Sequence, residues 1–188
     1  KGPNKTIFQE LLTGDLPEQE KSLERLWQEG QIVVGAGTET TAWTLSATLY
    51  YLLEDRRVFA KLMQELVSHI DDADERVTWN ELEQLPYLSA VVSEGLRLSY
   101  GVSTRLQRIN PLGPFYFTDA TTKKEYVIPK GTPVGMTATL VHNDPTLFPD
   151  PHIFRPERWL NEKGQRHHHL DKFLLSFSRG SRQCIGIK

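Results

Sequence analysis

Hydrophobic residues recur at helical spacing through the first hundred positions of the chain and in short β-like runs after them. Asp15, Pro17 and the glutamates that follow are typical of a helix start, and the pattern predicts one long helix over 17–54. At ~1.5 Å per residue this helix would be roughly 50 Å long, which is unusual for a small globular domain. Apolar residues from Phe59 to Ile70 predict a second, amphipathic helix.

Two shorter helices are predicted before the pattern changes near Tyr100. Thr78 and Glu81 form a capping box, which opens a short helix that ends at about residue 85. Pro86 then starts a helix over 86–99, because proline is well tolerated in a first turn.

The second half of the chain has a different character. Residues 102–137 are predicted to form a small β-region, because proline, glycine and aspartate separate β-like runs at 102–107, 115–118, 126–128 and 133–137. Prolines punctuate 142–176, which predicts an ordered but irregular meander. The pattern as a whole predicts a single domain over 1–188 that is mainly α with small β-sheets (α+β).

Composition narrows the classes of function. The 188 residues are 38% hydrophobic, which is enough for a globular core, and 24% charged, and the net charge of −2 shows no basic excess, which argues against a nucleic-acid partner. One cysteine excludes an intrachain disulfide framework and fits a reducing compartment. The longest charge-free run, 40–53, is too short to cross a bilayer.

The single cysteine, Cys184, has unusual neighbours. Gly180 and Gly186 let the backbone approach a flat partner, and Arg182 offers a cationic fork that suits a carboxylate. This setting predicts a thiolate beneath a planar, carboxylate-bearing cofactor, namely haem. The alternative is a small buried hydrophobic residue, which most free cysteines are.

Residues 177–186 match Phe-x-x-Gly-x-Arg-x-Cys-x-Gly, and in this the chain resembles the cytochrome P450 family. The resemblance implies a partial cytochrome P450 fold that runs from a long distal helix to a haem-binding cysteine loop. It also implies that Cys184 is the proximal iron ligand, that Arg182 pairs with a haem propionate and that Phe177 shields the sulfur. Gly180 and Gly186 complete the haem-binding signature.

The long predicted helix contains the segment 35–41, Gly-Ala-Gly-Thr-Glu-Thr-Thr. Its glycines and threonines lower the stability of a helix by roughly 2 kcal/mol relative to alanine. Threonine hydroxyls can also donate to the backbone carbonyl one turn earlier and bend the helix. Such a bend would form a groove in which Glu39 and Thr40 supply a proton relay. A close helix–helix contact at the glycines is the alternative, whereas a dinucleotide-binding loop lacks its third glycine.

This segment resembles the oxygen-activation motif of the same family. The resemblance implies that Thr40 helps to protonate dioxygen, that Glu39 links it to solvent and that Ala36 faces the substrate. In the family an arginine at the place of Arg105 contacts a haem propionate, and the residues before it, here Val102 and Ser103, face the substrate. The alternative for this arginine is a solvated β-edge position.

Glu94 and Arg97 lie three residues apart, so they share one face of a helix. Taken alone, this spacing favours a solvated surface pair worth under ~1 kcal/mol. However, residues 154–159 resemble the Phe-x-Pro-Glu-Arg-Phe/Trp motif of the family, which implies that Arg158 joins the pair in a buried triad. That triad would hold the meander and the cysteine loop, as a device for folding and haem retention.

Two sets of histidines complete the candidates. His142 is predicted to be structural, in a turn that leads into the meander. The triplet 167–169 lies on a polar loop, where neighbouring histidines seldom converge on one ion, so a metal site is disfavoured.

The resemblance carried by these motifs implies a haem-thiolate monooxygenase that inserts one oxygen atom from O2 into a small lipophilic substrate. NADPH–cytochrome P450 reductase would supply electrons, with cytochrome b5 as an optional second donor. The chain is expected to be a C-terminal-region fragment of a fungal microsomal member, held by an N-terminal anchor on the cytoplasmic face of the endoplasmic reticulum. The alternatives are a non-catalytic truncated fragment, or a haem-thiolate isomerase or dehydratase that needs no O2.

Overall fold

The computed structural model describes residues 6–70 and 77–187, so the ends of the predicted domain and 71–76 lie outside the described residues. The helices are α1 Ile7–Thr13, α2 Leu23–Glu54, α3 Arg56–His69, α4 Trp79–Glu83, α5 Pro86–Leu98 and α6 Ala138–His142. The strands are β1 Leu106–Arg108, β2 Phe115–Thr118, β3 Glu125–Ile128 and β4 Val134–Met136. The predicted α+β class, mainly α with small sheets, is confirmed. In these ranges no helix has the length and apolar character needed to cross a membrane.

The long helix α2 begins later than the sequence predicts. Residues 18–21 form a separate 3₁₀ turn, and Ser22 has an extended backbone with ψ of 151°. Its hydroxyl accepts a hydrogen bond from the Arg25 amide at 3.4 Å, so the serine caps the helix where the prediction had placed its interior. The predicted start at 17 is therefore wrong. The 32 residues of α2 make it about 48 Å long.

Acidic side chains cap the N-termini of α4 and α5. The predicted capping box of Thr78 and Glu81 is present and opens α4. Glu65 lies on α3 but caps the N-terminus of α5. Its carboxylate accepts hydrogen bonds from the backbone amides of Tyr87 at 2.8 Å and Leu88 at 2.7 Å. This contact joins α3 to the first turn of α5.

The β-region consists of two antiparallel pairs. Strand β1 pairs with β4, and β2 pairs with β3. The strand predicted over 102–107 begins only at Leu106, which pairs with Met136 at the end of the β1–β4 ladder. Thr137 then caps α6 instead of extending β4, so residues 102–105 have no partner strand there.

Helix α5 lies at the centre of the core. One buried cluster packs α5 against α2 and α3, and the other packs it against the meander. Gly95 permits the approach of α2, because a Cβ atom there would lie 2.0 Å from Oγ1 of Thr48. The two clusters leave both sides of α5 covered, which places Glu94 and Arg97 in the interior.

Candidate functional site

The Glu94 carboxylate is the centre of a buried hydrogen-bond network. Arg97 binds it in two places, with Nε 3.0 Å from Oε2 and Nη2 2.8 Å from Oε1. Arg158 donates from Nε to Oε1 at 2.9 Å, and the backbone amide of Arg155 donates to the same oxygen at 2.9 Å. The structure therefore brings together the three side chains of the predicted triad.

This network carries one more positive than negative charge, and backbone carbonyls of the meander stabilise the excess. Arg97 donates to the carbonyls of His142 at 2.8 Å and Pro151 at 2.7 Å. Arg158 donates to the carbonyl of Pro149 at 3.0 Å. Burial lowers the pKa of Arg158, while the charge of Glu94 acts in the opposite direction. Each charge is thus satisfied where water is excluded.

Full burial contradicts the alternative of a solvated surface pair. The side chains of Glu94 and Arg97 are 0% exposed, and that of Arg158 is 5% exposed. The network joins α5 to 149–158, and removing Glu94 would leave two buried guanidinium groups without a counter-ion.

Trp159 is a member of this network that the sequence analysis did not assign. It is fully buried, and its indole Nε1 donates to Oε2 of Glu94 at 2.9 Å. The family motif accepts phenylalanine or tryptophan here, and phenylalanine has no donor to offer. The residue type alone indicates an aromatic side chain in the core, and the hydrogen bond from the indole N–H is apparent only from the structure.

Replacing Trp159 by phenylalanine is expected to lower the free energy of unfolding of the full-length protein by about 2–4 kcal/mol. The variant loses a hydrogen bond to a charged acceptor and leaves a cavity. Denaturant unfolding measures the change. Trp79→Phe is the matched control, because Trp79 is 72% exposed and should change stability by under about 0.5 kcal/mol. Equal effects of the two substitutions would contradict the role of the indole donor.

His142 ends α6 and is almost completely buried, at 2% exposure. Its Nδ1 lies 3.1 Å from the carbonyl oxygen of Arg97, and the backbone amide of Leu175 donates to Nε2 at 2.9 Å. Burial lowers the pKa of His142 to about 4, so the ring is neutral at physiological pH. The sequence predicted a structural residue but gave no sign of the contact with residue 175.

The cysteine loop, residues 177–186, closes on itself through the backbone. The amide of Cys184 donates to the carbonyl of Phe177 at 2.8 Å. Gly180 has φ of +79°, a conformation that favours glycine, and Ser178 also has positive φ at 60°. Cys184 itself is free and exposed in this structure.

The segment 35–41 forms an open surface of α2. Thr40 donates from Oγ1 to the carbonyl of Ala36 at 2.7 Å, as the back-bonding argument predicts, and the α-helix continues through the segment. A Cβ atom at Gly35 or Gly37 would meet nothing within 4 Å among the described residues. The alternative of a tight helix–helix contact therefore does not hold within the described chain. Glu39 is exposed beside Thr40.

The remaining candidate residues are also exposed. Arg105 and Arg182 make no side-chain hydrogen bond or ion pair within the part of the chain that the structure describes. Val102 and Ser103 lie on the surface before β1. Among the described residues, no hydrogen bond or ion pair joins these residues or the segment 35–41 to the cysteine loop, whereas direct contacts assemble the Glu94 network.

These features fit a haem group. A free, exposed sulfur lies in a glycine-bearing loop, and an added Cβ at Gly186 would be 3.8 Å from it, an ordinary contact distance. Two unpaired guanidinium groups, Arg105 and Arg182, suit carboxylates. Across the described ranges no group of three or more His, Cys, Asp or Glu side chains is placed to hold a metal ion.

Comparison with known proteins agrees with the resemblance that the sequence motifs indicate. A family model described as Cytochrome P450 matches residues 3–188. The chain is 45% identical to the cytochrome P450 monooxygenase tpcC of Cochliobolus heterostrophus, over 97% of this chain and 34% of the relative. It is 46% identical to the cytochrome P450 monooxygenase astB of Talaromyces wortmannii, over 98% of this chain and 36% of the relative. The chain thus spans about a third of the length of these curated relatives.

Proposed function

The chain belongs to the cytochrome P450 family, and we propose on that premise that it is part of a haem-thiolate monooxygenase. The observation that carries the proposal is Cys184, a free and exposed sulfur in a loop closed by the bond between its amide and the Phe177 carbonyl. Relatives named as monooxygenases support the same reaction for the whole protein, of which this chain covers a part.

The cysteine loop and the two free arginines would hold the haem. Cys184 would ligate the iron as a thiolate, Arg105 and Arg182 would bind the propionates, and Phe177 would cover the sulfur. Gly180 and Gly186 keep side chains away from the surface of the loop. Thiolate-bound haem supplies an iron that activates dioxygen and favours cleavage of the O–O bond.

Glu39 and Thr40 would move protons on the oxygen side. Because the Thr40 hydroxyl already donates to the Ala36 carbonyl at 2.7 Å, its lone pairs are free to accept a hydrogen bond and so to hold a proton-donating water in place. Glu39 is exposed one residue earlier, and it would take protons from solvent and pass them to that water. Ala36, Val102 and Ser103 would contact a small lipophilic substrate.

The proposed electron source is NADPH through cytochrome P450 reductase, with cytochrome b5 as an optional second donor. We place the whole protein on the cytoplasmic face of the endoplasmic reticulum, in fungal secondary metabolism. The direct test uses the full-length protein with its reductase and ¹⁸O₂. The proposal expects NADPH-dependent incorporation of one labelled atom into product. Turnover that needs neither NADPH nor O2 would instead assign an isomerase or dehydratase.

Thr40→Ala is expected to separate reductant use from product formation. The variant keeps the cysteine ligand, so its haem spectrum should match the wild type, while product formed per NADPH falls by about 10²-fold, as for loss of a group in the proton path. Thr40→Ser is the matched control, because it keeps the hydroxyl and should retain most of the coupling between NADPH use and product formation. The measurement is NADPH consumed against product formed. An unchanged ratio in the alanine variant would remove Thr40 from the proton path.

A further inference from the structure

His142 connects helix α5 to the entrance of the cysteine loop. The chemistry of its two partners fixes the position of its proton. The carbonyl of Arg97 can only accept a hydrogen bond and the amide of Leu175 can only donate one, so Nδ1 is protonated and Nε2 is bare. The ring is therefore held as one neutral tautomer by groups from two separate parts of the chain.

Leu175 lies immediately before the cysteine loop. Its carbonyl accepts a hydrogen bond from the amide of Ser178 at 2.9 Å, in the turn where the backbone reaches positive φ. The next residue, Ser176, donates from its hydroxyl to the carbonyl of Leu96 at 2.8 Å. Side-chain hydrogen bonds thus attach residues 175 and 176 to the last turn of α5, and the one at 175 depends on His142.

The connection continues to the cysteine. Phe177, two residues after Leu175, accepts the hydrogen bond of the Cys184 amide at 2.8 Å. At the other end, Arg97 is held by the Glu94 carboxylate and itself donates to the backbone carbonyl of His142 at 2.8 Å. A displacement of the Leu175 amide would therefore move the carbonyl that holds the backbone of Cys184.

We propose that His142 is a positioning residue for Cys184, acting through its hydrogen bond with the Leu175 amide. The Glu94 network holds the meander in place, and His142 links this network to the loop that carries the sulfur. A protonated ring would point a second N–H at the Leu175 amide and place a cation near Arg97. The inference rests on the proposed function in one respect, since it assigns a ligand position to the sulfur.

Two amide substitutions separate the two hydrogen bonds of the ring. In His142→Gln the side-chain oxygen reaches the position of Nε2 and can still accept from Leu175. In His142→Asn the amide takes the position of Nδ1, so Arg97 keeps a donor but Leu175 loses its acceptor. A residue that only stabilised the α5–α6 contact would favour asparagine, whereas a positioning residue for the loop favours glutamine.

The first readout is the spectrum of the full-length holoenzyme, reduced and exposed to carbon monoxide. In His142→Asn the ratio of haem without thiolate ligation to thiolate-ligated haem should rise about tenfold, which corresponds to about 1.4 kcal/mol. In His142→Gln this ratio should stay within about twofold of the wild type. Equal ratios in the two variants, or a larger loss with glutamine, overturn the proposal.

The second readout does not depend on haem. Hydrogen exchange of the Leu175 amide in the full-length protein should be about tenfold faster with asparagine than with glutamine. Nitrogen chemical shifts of the wild-type ring at neutral pH should show Nδ1 protonated and Nε2 bare, and the opposite tautomer contradicts the proposal without any variant. A wild-type protein with this tautomer and exchange pattern but no thiolate band would refute the proposed function and support the His142 link.

Discussion

Replacing Glu94 by glutamine is expected to lower the free energy of unfolding of the full-length protein by about 3–5 kcal/mol, enough to abolish stable haem binding. The variant keeps the shape of the side chain and removes its charge. Arg97 and Arg158 would then be buried without a counter-ion, and one glutamine nitrogen would point at donors. Since whole domains are stable by only about 5–15 kcal/mol, this single change removes much of the margin.

Asp150→Asn is the matched control for this prediction. Asp150 also pairs with an arginine of the meander, because its Oδ2 lies 2.7 Å from Nη2 of Arg155, but the two side chains are 58% and 40% exposed. Water screens this pair, so its loss should change stability by under about 1 kcal/mol. Denaturant unfolding and haem content measure both variants. A Glu94→Gln protein as stable as the control would show that burial of the network is not important for folding.

Cys184→Ser is the second substitution with a large expected effect, and it acts on chemistry rather than on folding. Serine keeps nearly the same size and the backbone amide that donates to Phe177, and residue 184 is exposed in the haem-free chain, so the free energy of unfolding of the haem-free protein should change by under about 0.5 kcal/mol. Serine cannot supply a thiolate, and NADPH-dependent product formation should fall below detection. Product analysis with the reductase measures this loss.

Ser181→Ala is the matched control in the same loop. Its side chain is exposed and makes no hydrogen bond with the described residues, so activity should remain near that of the wild type. A serine variant at 184 that retained full turnover would exclude Cys184 as the iron ligand. A variant that lost activity together with its fold would assign the cysteine a structural role.

Local elements with strong periodicity or capping chemistry were predictable from the sequence. The capping box at Thr78 and helix α5 after Pro86 are confirmed, because both depend on residues that are close in sequence. The start of α2 was wrong, since a proline and glutamates signal a helix start while Ser22 decides its position through backbone geometry. The strand over 102–107 was too long because its pairing ends where Thr137 caps α6.

The candidate site was predictable only where it matches motifs. The motif at 177–186 identified the family, which the match over 3–188 confirms. Trp159 and His142 were missed as network members, because their partners, Glu94 for one and Arg97 and Leu175 for the other, lie 33 to 65 residues away in sequence. Side-chain hydrogen bonds over such separations depend on tertiary packing and leave no periodic signal in the sequence.

The identity of the iron ligand can be tested directly on the wild-type, full-length protein. The measurement is the absorption spectrum of the reduced protein with carbon monoxide. A thiolate ligand at Cys184 predicts a strongly red-shifted Soret band that disappears in Cys184→Ala. A Soret band of the imidazole-ligated type in the wild-type protein would contradict the assignment.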